Sequence, residues 1–112
     1  MATIVNEVTL ENGHRLPDSR TLQNIIKLAV VEDKPVMMDY WVDSLEKKVI
    51  IGVRGEGKEA KKMLIKNKEE YTSFIEKVYR INDKDYIILT ENSIYVVDAK
   101  IESRRVSMET DD

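Results

Sequence analysis

The sequence predicts an α+β domain, an antiparallel sheet or small β-barrel with one helix at about residues 19–32 packed on it. Three observations carry this. The stretch after Asp18 repeats its apolar residues at the spacing of one helical face. Most of the chain after Pro35 instead alternates or clusters β-branched and aromatic residues over runs of five to eight. Turn signals such as Asn12-Gly13, Asn82-Asp83 and Glu91-Asn92 separate those runs closely enough for hairpins.

Taken in order, Thr3–Leu10 alternates and ends at Glu11-Asn12-Gly13, which predicts a first strand. Leu22, Ile25, Ile26, Ala29 and Val30 follow at i, i+3, i+4, i+7 and i+8. Asp18 or Ser19 is placed to cap that helix, and Pro35 requires that it has already ended. Val36–Asp43 alternates with a period of two, and Lys47–Arg54 alternates again, so the two runs read as a hairpin. Phe74–Ile81, Tyr86–Thr90 and Ser93–Asp98 predict three further strands.

Residues 58–72 admit two readings. Ala60, Met63, Leu64 and Tyr71 fit one side of a helix, which at 58–79 would give a ferredoxin-like alternative, while Met63–Lys66 also fits a short strand. The strand reading is preferred for the later part. After Ile101 the chain turns polar, so the expected organisation is a single domain over 1–101 with a flexible polar tail over 102–112.

Composition narrows the chemistry. With 112 residues, 42% hydrophobic and 35% charged, the chain has material for one core under a highly charged surface. No apolar run is long enough for a membrane span and the start does not read as a signal peptide, so a soluble, cytoplasmic protein is expected. The absence of cysteine excludes disulfides, thiolate nucleophiles and cysteine-bound zinc. His14 is the sole histidine and lies beside a turn, which argues against a histidine metal site or a Ser-His-Asp relay. Asp83-Lys84-Asp85 lacks the glycine and terminal glutamate of a calcium loop and reads as a plain turn. No catalytic residue, metal or cofactor is expected.

Two places remain for function. Met37, Asp39 and Trp41 fall on one side of the predicted 36–42 strand, and methionine and tryptophan favour contact surfaces. Asp39 would need a partner if that side were buried, but an outward position is the ordinary one. The second place is electrostatic: Lys47, Lys48, Arg54, Lys58, Lys61 and Lys62 concentrate positive charge in a chain of net charge −3. They suit phosphate or nucleic acid, or only protect a sheet edge. The expectation is a non-enzymatic interaction or assembly module that binds a protein partner and self-associates as a homo-oligomer, with nucleic-acid or phosphorylated-ligand binding through 47–68 as the alternative.

Overall fold

The computed structural model describes residues 13–106, so the strand expected at Thr3–Leu10 lies outside the described residues. Its element order is α1 (Ser19–Glu32), β1 (Val36–Met37), α2 (Trp41–Leu45), β2 (Ile50–Arg54), β3 (Lys61–Asn67), β4 (Glu70–Tyr71), β5 (Ile75–Arg80), β6 (Asp85–Thr90), β7 (Ile94–Asp98) and β8 (Glu102–Arg105), with a single 3-10 turn at Gly57–Glu59. The α+β class is as expected. The strands form two four-stranded sheets, in orders β1-β7-β6-β5 and β4-β3-β2-β8, and neither closes into a barrel.

These elements stack as three layers, and β6 and β7 form the middle of the stack. Ile87 and Leu89 of β6, with Ile94 and Val96 of β7, pack under Ile25 of α1 and Trp41 of α2. Ile88 and Val97, on the opposite face of the same strands, pack against Ile51 and Leu64 of the second sheet and Val49 just before β2. Both faces are therefore dry. That is why Tyr86–Thr90 and Ile94–Val97 read as nearly continuous apolar runs rather than as clean alternation.

Helix α1 has the bounds its periodicity predicts. An Asp18 carboxylate oxygen accepts from the Arg20 N–H at 3.1 Å, capping the first turn. At the other end Asp33 takes a left-handed conformation (φ 56°) and its N–H donates to the Ala29 carbonyl, before Pro35 forbids another turn.

The expected hairpin of 36–43 with 47–54 does not form. Only Val36 and Met37 are extended, and they pair in parallel with Ile94 and Tyr95 of β7. The chain then turns, with Trp41 N–H donating to the Met38 carbonyl, and enters α2. The alternation that suggested a strand has another origin. Tyr40 packs into the layer between the sheets and Trp41 into the layer beneath the helices, so one residue step carries the chain across the edge of the first sheet. Consecutive residues do point to opposite faces, but both faces are core.

Strand β2 pairs antiparallel with β3 instead, from Ile50 opposite Ile65 to Arg54 opposite Lys61. Residues 58–79 thus form β3, β4 and β5 after the 3-10 turn, and the ferredoxin-like alternative with a helix there is excluded. The connection uses Gly55 and Gly57 at φ 89° and 62°, a backbone region costly for other residues. The expected tail over 102–112 is also corrected at its start. Glu102–Arg105 pairs in parallel with Ile50–Val53, and backbone pairing rather than side-chain burial holds this strand, whose four side chains are all exposed.

Candidate interaction surface

The surface that stands out is the outer side of α1. Ile25 is buried and faces β6 and β7, while Leu28 and Ala29 pack at its margins. Leu22, Ile26 and Val30 continue the apolar spacing at i, i+4 and i+8 round the side of the helix, yet Ile26 is 63% exposed and Val30 77%. The apolar arc of this helix is wider than the sheet beneath it can cover. Isolated exposed hydrophobics are common on any protein; three on one helical row are less so. Val31, 75% exposed, adds to the helix surface outside that row.

A buried polar network holds the helix in place. The Asp85 carboxylate, fully buried at the start of β6, accepts from the Asp18 backbone N–H at 2.8 Å, the Thr21 hydroxyl at 2.9 Å and the Arg15 guanidinium at 2.8 Å. Arg15 also donates to Asp98 and to the Lys84 carbonyl, and its guanidinium lies 4.9 Å from the centre of the Trp41 ring. The Asn82 side-chain amide donates to the Thr21 hydroxyl, closing the network from the β5–β6 turn. Asp85 does for the α1 terminus what a third-position glutamate does in a capping box, but from a distant strand. By sequence alone Asp85 belongs to a plain turn, Asp83-Lys84-Asp85. Its only signal was an acid placed immediately before the apolar run of a strand.

The residues singled out from the sequence are dispersed. Trp41 is 3% exposed, its indole N–H donates to the Arg15 carbonyl at 2.9 Å, and it is a core residue rather than a contact residue. Met37 is part-exposed on the short edge strand β1. Asp39 is exposed in the turn between β1 and α2, and its carbonyl accepts from Lys66. The three share no face. His14 pairs with Glu46 at 3.0 Å, and together with Lys48 it holds the Glu46 carboxyl below its ordinary range, the Lys48 hydrogen bond being the stronger influence.

The basic residues also separate. Arg54, Lys58, Lys61 and Lys62 lie at the far end of the β2–β3 hairpin, about 20 Å along the strand from Lys47 and Lys48. At the near end Lys47, Lys48, Lys66 and Arg104 line an open groove of about 520 Å³ floored by Ile50 and Ile65. Most of that charge is already matched: Lys66 pairs with Asp43 at 2.9 Å, Lys48 with Glu46 at 3.1 Å and Arg104 with Glu102 at 3.0 Å. Burial works to lower the Lys66 pKa, but the hydrogen bond and charge of Asp43 outweigh it and raise the ammonium above its ordinary value. Among the described residues only Lys47 of these four cations makes no salt bridge.

Next to this groove, Tyr40 stacks edge-on to Tyr95 at 5.1 Å under the Lys66 ammonium. Burial first, then the neighbouring Tyr95 and Asp39, push the Tyr40 phenol up to about 12. The native state therefore holds this proton to higher pH than the unfolded chain does. Its contribution is complete below pH 10 and is lost as pH rises from about 10 to about 12. In thermal melts across that range, Tyr40→Phe is expected to lose stability with a shallower slope than the parent. Equal slopes would show that Tyr40 does not carry the effect.

Comparison with known protein families, curated proteins and solved structures returns no match for this chain.

Proposed function

We propose that this protein is a non-enzymatic interaction module that docks a protein partner on the outer side of α1. The observation that carries the reading is the Leu22/Ile26/Val30 row, apolar and exposed on a helix fixed at its base by Asp85. Leaving such a row in water forgoes roughly 1.5–3 kcal/mol for each large side chain that a partner would bury fully. A rigid helix also presents its contacts without an ordering cost at the moment of binding. The alternative of phosphate or nucleic-acid binding through 47–68 is weaker on geometry, because its cations occupy two separate ends of a hairpin and three of the four in the groove are paired.

A photo-crosslinking side chain placed at Val30, in cells expressing the protein, tests the reading. Adducts are expected from Val30, absent from a control placed at Lys58, and lost when Ile26→Asp is added. No adduct at Val30, or equal adducts from both positions, would sink it.

A further inference from the structure

We infer that this chain forms a two-fold dimer by pairing the open edge of β8 antiparallel with the same edge of a second copy, with the axis at Ser103. The contact uses no residue of α1 and stands whether or not α1 docks a partner. Strand β8 ends its sheet, in the order β4-β3-β2-β8, and pairs with β2 alone. All four of its side chains are exposed, so no neighbouring element overhangs it on either face. Successive residues of a strand turn their backbone N–H and C=O to opposite sides. The Val106 N–H donates inward to the Val53 carbonyl at 2.9 Å, so Glu102 and Arg104 also turn their backbone groups inward and Ser103 and Arg105 turn theirs outward. Among the described residues, nothing bonds to those outward groups.

The charges choose the register. With the axis at Ser103, this small residue meets its own equivalent, and the two exchange backbone hydrogen bonds through their outward groups. The Arg105 N–H reaches the Ile101 carbonyl of the second copy in the same way. Between these pairs Glu102 falls directly opposite the second copy's Arg104, at a position without backbone bonds, where Cα atoms are about 4.5 Å apart and side chains come closest. Glu102 and Arg104 are two residues apart on a regular stretch of strand and so share a face, and the acid–base contact is made twice. They already meet at 3.0 Å within one strand, so pairing joins two ion pairs into one ring of alternating charge. Moving the axis one residue either way sets Arg104 against Arg104 or Glu102 against Glu102 at that same close spacing. A polar edge guards against indiscriminate pairing, but one that carries both signs at this spacing leaves a single register open. The two sheets then run on as one of eight strands, and a two-fold contact closes at two copies. Edges this short bury less than a standard interface, so half-association falls between about 10 µM and 1 mM.

Sedimentation equilibrium of the full chain up to about 1 mM, a concentration at which such an interface is at least half formed, tests this with variants at the exposed positions of β8. A concentration-dependent dimer is expected. Glu102→Arg should weaken it about tenfold, and Arg104→Glu added in the same chain should restore it. Ser103→Pro removes an outward N–H without touching the β2 pairing, so it should abolish the dimer while the circular dichroism and melting temperature of the monomer hold. The chain has no cysteine of its own, so introduced thiols report on single positions. Under mild oxidation Glu102→Cys mixed with Arg104→Cys should crosslink, while neither should do so alone, its equivalent lying about 7 Å further along the strand. A strict monomer at that concentration overturns the inference, whether the Ser103 and Arg105 amides exchange freely with solvent or are protected by another part of the chain. A dimer indifferent to Glu102→Arg and Ser103→Pro overturns it too, as does one that the charge exchange fails to restore.

Discussion

Asp85→Ala is expected to destabilise the fold by about 3–5 kcal/mol, the cost typical of breaking a buried ion pair by removing one partner. Asp85 is fully buried and takes three donors, the Asp18 N–H, the Thr21 hydroxyl and the Arg15 guanidinium. Arg15 is half-exposed and can turn to water, which places the loss toward the lower half of that range. Asp85→Asn keeps the shape and removes the charge, but directs an amide donor at existing donors, so most of the loss should remain. Urea denaturation gives the comparison directly. Because the carboxylate grips the first turn of α1, the Asp85→Ala protein should also lose hydrogen-exchange protection there first. A loss under 1 kcal/mol would show that the network does not anchor the helix.

The elements legible in the sequence were those in which local signals act alone. Helix α1 has a cap, a five-residue apolar row and a proline behind it, and its bounds follow from these without tertiary information. Strands β5, β6 and β7 were similarly marked by turn clusters and β-branched runs. The failures arise where tertiary packing reassigns a true local pattern. Residues 36–42 alternate because Tyr40 and Trp41 are buried on opposite sides of one sheet, and no window of sequence distinguishes that from a half-buried strand. Glu102–Arg105 is polar throughout because it is an edge strand held by backbone pairing and by the Arg105 guanidinium on the Gly55 carbonyl, with no side chain to bury, and backbone pairing leaves no mark in side-chain composition. The interaction surface was partly visible. Leu22, Ile26 and Val30 were recognised as a helical face, but only the structure divides that face into the part the sheet covers and the part it leaves exposed.

Trp41→Ala separates the two roles this residue could have, and is expected to act on stability, at about 3–5 kcal/mol, not on association. The ring fills the space between Ile25 of α1 and Ile94 and Val96 of β7, so truncation leaves a cavity that both helices and a sheet must close over. It also removes the indole donor from the Arg15 carbonyl and the ring beneath the Arg15 guanidinium. Arg15 in turn holds Asp85, so the two substitutions act on one connected unit. Combined in one chain, Trp41→Ala and Asp85→Ala should destabilise by less than their sum, with a coupling of about 0.5–3 kcal/mol. In the parent, the single tryptophan should emit at the short wavelengths of a buried indole. Emission at the long wavelengths of a solvated indole would return Trp41 to the surface role its sequence neighbours suggest. Short-wavelength emission together with additive mutants would keep Trp41 in the core but disconnect it from the anchor of α1.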